Sequence, residues 1–291
     1  MKPAVVLMAY GSPSDLADIR PYLEDIRSGR PVSDEAVEEL TERYRRIGGR
    51  SPLEDVTEGT RAGLERELGL PVYVGMKHWE PRIAEAVDRA VAGGADQIIG
   101  LVLAPHYSKL SIDGYRERLE DALGGRAGLR FIESWHVHEP YLAVLADHVR
   151  GADAHVVFTA HSLPARILDM GDPYRDQLLE TSGLIAERAG LDSWSFAFQS
   201  ASATGEPWLG PDILEELDSL HERGVESVLV CPIGFVSDHL EILWDIDVEA
   251  RERAAELGLE LDRIESLNDD PAFVRGLAEL CREVVGVPST S

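Results

Sequence analysis

Short runs of apolar and β-branched residues alternate with longer amphipathic runs almost from one end of the chain to the other. No other feature constrains the fold as strongly, because such an alternation is the pattern of a parallel sheet with helices packed on its faces. Strands are predicted at 4–9, 72–75, 97–103, 130–133, 155–160, 195–198, 227–231 and 259–264. Helices are predicted at 14–27, 35–47, 53–68, 81–92, 112–122, 141–150, 173–189, 211–223, 238–257 and 271–285. Eight strands exceed what one half needs. The fold expected is therefore α/β, with two doubly wound, Rossmann-like parallel-sheet halves facing each other across a cleft. The halves are assigned to 1–140 and 141–268, and the terminal helix in 269–291 is expected to cross back onto the first half. No repeat with a period of roughly 20 to 50 residues is visible, and the one low-complexity stretch is the tail at 288–291.

In open α/β sheets, ligands bind outside the carboxyl ends of the strands. Five of the predicted strands end in polar or aromatic residues: Tyr10-Gly11-Ser12-Pro13, Pro105-His106-Tyr107-Ser108, His161-Ser162-Leu163-Pro164, Gln199-Ser200 and Pro232-Ile233-Gly234-Phe235. Gly11, Gly48, Gly49 and Gly234 read as backbone permits for turns.

Composition removes several classes of function. With 53 acidic against 28 basic side chains and a net charge of -25, the 291-residue chain is a poor partner for nucleic acid or an anionic membrane. The same field concentrates a divalent cation but opposes an anionic ligand, which then needs local arginines. Two cysteines, Cys231 and Cys281, are too few for a disulfide framework or an iron–sulfur cluster, and read as buried thiols. The apolar opening is too short for a signal sequence and no later run has the length of a membrane span, so a cytoplasmic protein is expected. There is no GxGxxG, P-loop, CxxC or HExxH, which leaves dinucleotide, nucleoside triphosphate and thiolate-zinc sites unsupported.

The stretch 231–252 reads as a strand end, a glycine turn and a helix. At about 100° per residue, Asp238, Glu241, Asp245, Glu249 and Glu252 fall within roughly 80° of one another, opposite Leu240, Leu243 and Trp244, with Asp247 outside the arc. Such a stripe either faces water or lines a cavity that receives a cation. His161 reads as a metal ligand, a proton acceptor or a cap of its own loop. With Glu241 at a neighbouring strand end, the first two readings gain, since one imidazole and one carboxylate hold a ferrous-type ion loosely. His78, His106 and Tyr107 fit a direct role and a packing role equally. Arg27, Arg30, Arg43, Arg45, Arg46 and Arg50 fall within 27–51, suited either to i, i+4 pairing on an exposed helix or to recognition of ligand carboxylates.

Motifs spread over nearly the whole chain, LMAYGSP, RYRRIGGRSPL, GMKHWEP, LAPHYSKLSIDGY, FTAHSLPARILDMGDPY, FAFQSASATGEPWLGPD and CPIGFVSDHLEILWDID, resemble those of the ferrochelatases. Within that family the chain is similar to the coproporphyrin-type enzymes of monoderm bacteria. The resemblance implies a chelatase-type fold and insertion of ferrous iron, a substrate, into coproporphyrin III to give coproheme. It implies that His161 and Glu241 flank the metal on one porphyrin face and act in catalysis. Tyr10 on the other face would ligate iron in the product, and Asp245 and Glu249 would continue a carboxylate trail from Glu241. Tyr10, Arg27, Arg43, Tyr44, Ser51 and Tyr115 would contact the macrocycle or its propionates. Some relatives carry a cysteine-bound [2Fe-2S] cluster; this chain lacks the cysteines, and no permanently bound cofactor is expected. A downstream haem-pathway enzyme that accepts coproheme is a further partner the resemblance suggests, and a monomer is expected. The alternatives are a protoporphyrin IX ferrochelatase, a non-catalytic tetrapyrrole or metal carrier, and a cobalt or nickel chelatase.

Overall fold

The computed structural model describes residues 1–202 and 205–285. Strands β1 (Pro3–Ala9), β2 (Val72–Met76), β3 (Gln97–Val102) and β4 (Gly128–Ile132) form one sheet in the order β2-β1-β3-β4. Strands β5 (His155–His161), β6 (Trp194–Gln199), β7 (Ser227–Cys231) and β8 (Glu260–Arg263) form a second in the order β6-β5-β7-β8. Every pairing is parallel. The two orders are one topology used twice, with no trace of repetition in the sequence. Each order reverses at its centre, between β1 and β3 and between β5 and β7, which is where a crevice opens at the carboxyl ends.

The helices are α1 (Ile19–Ile26), α2 (Asp34–Arg46), α3 (Leu53–Leu68), α4 (Ile83–Ala92), α5 (Ile112–Leu123), α6 (Glu139–Val149), α7 (Tyr174–Ala189), α8 (Ile213–Glu222), α9 (Arg251–Leu257) and α10 (Pro271–Val285). Local signals set their ends: the Ser33 hydroxyl accepts the Ala36 N–H at the start of α2, and Asp212 with Glu215 closes a capping box on α8. Alternation along β1 sends Ala4, Val6 and Met8 toward α4 and α5, and Val5 and Leu7 to the opposite face. Burial on both faces is why these strands read as unbroken apolar runs. The second face does not close within its own half. Val5, Leu7 and Leu101 share one buried cluster with Val156, Phe158 and Cys231 of the other sheet, joined through α6 and α10. Helix α10 packs on α3, where Gly63 leaves room for Val274 and the Arg282 guanidinium donates to the Glu67 carbonyl at 2.5 Å. One buried cluster thus runs through both halves, and Cys231 and Cys281 are free thiols inside it.

The structure departs from the sequence reading in particular places. The helix expected over 14–27 begins with a 3₁₀ turn at Leu16–Asp18, and the strand expected at 130–133 lies at Gly128–Ile132. More consequential is the segment expected as one α-helix over 238–257, which is π-helical at Ile242–Ala250 before it runs into α9. Side chains anchor this wider helix on several sides. Arg263 grips both oxygens of Asp247 at 2.9 and 2.8 Å, the guanidinium groups of Arg43 and Arg46 cover Trp244 at 5.5 and 5.3 Å, and Arg46 reaches Glu252 at 2.5 Å. The predicted single acidic stripe therefore breaks up: Asp238 is held by Arg263, Ser266 and Asn268, and Glu252 by Arg46. Glu241, Asp245 and Glu249 remain as a row. The tail at 288–291, and residues 203 and 204 within the FAFQSASATGEPWLGPD motif, lie outside the described residues. No helix among the described residues is long and apolar enough to cross a membrane.

Candidate active site

The carboxyl ends of β1, β2, β3, β5 and β7 converge on a cavity of about 510 Å³ walled by both halves. Tyr10 follows β1 and is fixed by the strand next to it, since the N–H groups of Lys77 and His78 donate to the carbonyls of Ala9 and Tyr10 at 2.9 Å each. The turn after Tyr10 needs glycine: Gly11 has φ +94, and a Cβ there would lie 2.9 Å from the Trp79 nitrogen. Gly234 is required for another reason. Its φ is not positive, but a Cβ would lie 2.5 Å from Cβ of Ala160, so only glycine lets the β7 turn cross β5 and deliver Phe235 and Glu241 beside His161.

His161 ends β5, and its backbone carbonyl accepts the Tyr174 hydroxyl at 3.0 Å. Its Nδ1–H donates to the Ser162 carbonyl, so Nε2 is the ring nitrogen that faces Oε2 of Glu241, at 3.4 Å, and in the neutral imidazole it does so with its lone pair. That carboxylate oxygen is buried and has no hydrogen-bond partner among the described residues. Two acceptors confronting each other are satisfied by a proton or a cation placed between them. Metal–ligand distances of about 2.1 Å place two donors 3.4 Å apart when the angle at the metal is roughly 108°. Among the described residues, no three His, Cys, Asp or Glu groups cluster closely enough to hold an ion on their own. The pair suits an ion in transit whose remaining ligands come from elsewhere.

The rest of the wall is aromatic and polar. Tyr10 keeps 40% of its surface accessible in this cleft, and enclosure of the remainder, with the Glu241 carboxylate second, raises its phenol above the ordinary value. Burial does the same to Tyr44, Tyr115 and Tyr174, so all four hydroxyls stay protonated at neutral pH. The His78 ring lies 4.6 Å from that of Tyr10, tilted by 49°, and donates Nδ1–H to Asp25 at 2.9 Å; burial outweighs that carboxylate and pushes the imidazole down to about 4. His106 is buried, bonded to Thr181 at 3.0 Å, and likewise kept neutral by burial.

Behind Glu241 a second cavity of about 110 Å³ is lined by Asp245, Glu249, Gln199, Ser200 and Arg43, among others. Asp245 is 6% exposed and accepts from Ser200 and, at 3.4 Å, from Gln199. Burial first, then the charges of Glu241 and Glu249, push its carboxyl up to about 7 against the pull of those donors.

A Ferrochelatase family model matches residues 2–285. The chain belongs to the ferrochelatase family. It is 44% identical over 296 residues to the ferrochelatase of Deinococcus radiodurans, covering 95% of this chain and 94% of that one. It is 38% identical over 300 residues to the coproporphyrin III ferrochelatase of Halalkalibacterium halodurans, with 97% of each chain covered. In fold it resembles the sirohydrochlorin chelatase SirB of Bacillus subtilis solved with cobalt, at TM-score 0.63 and 13% identity over 98% of this chain and 96% of the other. Like other ferrochelatases, it is a lyase that inserts metal into a porphyrin.

Within this ferrochelatase, Tyr10, Tyr44, Ser51, Tyr115, His161 and Glu241 all line the large cavity. Asp245 and Glu249 line the small one. Arg27 is exposed, one residue beyond Ile26 in the large-cavity wall, and Arg43 lines the small cavity while bonded to Glu39 at 2.7 Å. Arg45 is also engaged with Glu38 and Glu42, Arg46 with Glu252 of the other half, and Arg50 with Asp55 and Glu54, so acids hold this part of the cluster, but the expected i, i+4 spacing describes only Arg43 with Glu39 and Arg50 with Glu54. Sequence reasoning passed over Lys77, Tyr174 and His239, which all line the large cavity. Lys77 was within reach, since it follows β2 as directly as Tyr10 follows β1.

Proposed function

We propose that this ferrochelatase inserts ferrous iron into coproporphyrin III, with His161 and Glu241 as the catalytic pair. The observation that carries the reading is His161 Nε2 facing, at 3.4 Å, a buried Glu241 oxygen with no hydrogen-bond partner among the described residues, in the wall of a tyrosine-rich cavity. Insertion requires removing water from the ion, bending the macrocycle so that its nitrogen lone pairs project, and taking away two pyrrole protons. A rigid slot walled by Tyr44, Ser51 and Tyr115 supports distortion, because contacts remote from the ring centre offset its strain. Arg27 and Arg43 adjoin wall residues Ile26 and Tyr44 and would reach propionates from the rim. Neutral His161 accepts a proton at Nε2. Glu241 meets the ion or passes a proton to Asp245, whose carboxyl at about 7 both holds and releases one near neutrality, and Glu249 continues that row. Tyr10 would ligate iron in the product from the other side.

Preference for coproporphyrin is supported by Tyr10 and by coproporphyrin III ferrochelatases among the relatives. We take the reaction to run in the cytoplasm without an iron–sulfur cluster, since both cysteines are buried thiols of β7 and α10. The test is anaerobic incubation with ferrous iron and either coproporphyrin III or protoporphyrin IX, followed by loss of free-porphyrin absorbance. Faster turnover of coproporphyrin is expected, with His161→Ala abolishing metallation while porphyrin binding stays measurable. Preference for protoporphyrin refutes the substrate, and an active His161→Ala refutes the proton acceptor.

A further inference from the structure

Cations are scarce where an acidic ligand has to bind. Among the described lysines and arginines, Lys77 is the one that lines the large cavity. Its ammonium donates to the Ser111 carbonyl at 3.1 Å and lies 4.6 Å from the centre of the Tyr115 ring, and it makes no ion pair among the described residues. Arg118, exposed on α5, donates to the Lys77 carbonyl and is unpaired by the same criterion. Burial first, and Arg118 second, push the Lys77 ammonium down to about 8, while Glu117 opposes them from beyond ion-pair distance. In a chain with 53 acids and 28 bases, where Arg43, Arg45, Arg46 and Arg50 each hold a carboxylate, two adjacent unmatched cations stand out.

Helix α5 is shaped around this ammonium. Gly114 lies inside the helix without a positive φ, so its backbone does not need glycine, and glycine is disfavoured there. A Cβ at this position would lie 2.9 Å from Nζ and 3.2 Å from Cε of Lys77. The missing methyl makes room for the lysine to lie over Tyr115 with its head in the cavity.

We propose that Lys77, with Arg118 beside it, is a carboxylate-binding subsite that takes one acid side chain of the tetrapyrrole. The inference rests on the porphyrin reading of the cavity and adds a specificity-determining residue to it. Lys77 belongs to the first half and the His161–Glu241 pair to the second. A macrocycle held at both places spans the cleft with one edge fixed, so its entry is oriented by charge.

Fluorescence titration of the full chain with coproporphyrin III, without metal, tests this. Lys77→Gln should weaken binding about tenfold, as expected for loss of a charge-assisted hydrogen bond, and flatten its salt dependence, while Lys77→Arg should stay within about threefold of wild type. Gly114→Ala, which displaces Nζ while keeping its charge, should weaken binding in the same direction. Matching circular dichroism melts establish that the variants are folded. If wild type binds and Lys77→Gln binds equally well with the same salt dependence, the subsite is refuted. If wild type binds no porphyrin, the reading of the cavity is refuted instead.

Discussion

Replacing Asp245 by Asn isolates the energetic cost of the acidic row. Asp245 is 6% exposed and its carboxyl titrates near 7 instead of the ordinary 3.8, because burial and the neighbouring charges of Glu241 and Glu249 disfavour ionisation. Between those two values the folded chain holds a proton that the unfolded chain has released. Stability contributed at this site therefore falls as pH rises from about 4 to about 7 and stays low above that. The span from 3.8 to about 7, at about 1.36 kcal/mol per pH unit, sets the full penalty on the order of 4 kcal/mol. Asparagine keeps an acceptor for Ser200 and Gln199 and carries no titrating charge. Urea unfolding of wild type and Asp245→Asn should give a stability difference that moves in favour of the variant by a few kcal/mol between pH 4.5 and pH 8, then levels off. A difference independent of pH would mean that Asp245 is not a strained carboxylate, and its part in proton movement would fall with it. The same variant should slow metallation, separating what the carboxylate does for the reaction from what it costs the fold.

Two further outcomes follow from packing and charge. Gly234→Ala places a Cβ 2.5 Å from that of Ala160 and should cost about 1–3 kcal/mol in urea unfolding while lowering metallation more than porphyrin binding; unchanged stability would show that the turn can yield. Arg263 bridges Asp238, ahead of the π-helix, at 3.2 Å and Asp247, within it, at 2.8 Å, and its side chain is 11% exposed against 23% and 26% for the acids. Arg263→Met should cost about 2 kcal/mol, below the fully buried case because the acids reach solvent, and should overlap with Asp247→Asn in a double-mutant cycle. Strict additivity of the two losses would refute the bridge.

The sequence by itself determined the alternation of strands and helices, the strand ends that carry Tyr10, His161 and the turn to Glu241, and the sign of the charge around them. Those features are local: apolar runs mark buried strands, and a residue just past a strand must emerge at its end. What the tertiary structure decided is which side chains face one another. Whether Asp238, Asp245 and Glu252 belong to one stripe depends on Arg263, Ser200 and Arg46, residues remote in sequence that hold each acid in a different place. The π-helix was illegible for the same reason, because anchors outside the segment surround it while its apolar pattern suits an α-helix equally well. Arginine position gave an incomplete guide to the cations of the cleft, since most of the cluster at 43–50 pairs with acids nearby, while Lys77 enters the cavity because Gly114, 37 positions later, leaves the space. Periodicity reports which way a side chain points from its own element. What it meets there is set by chain packing, which no single stretch of sequence encodes.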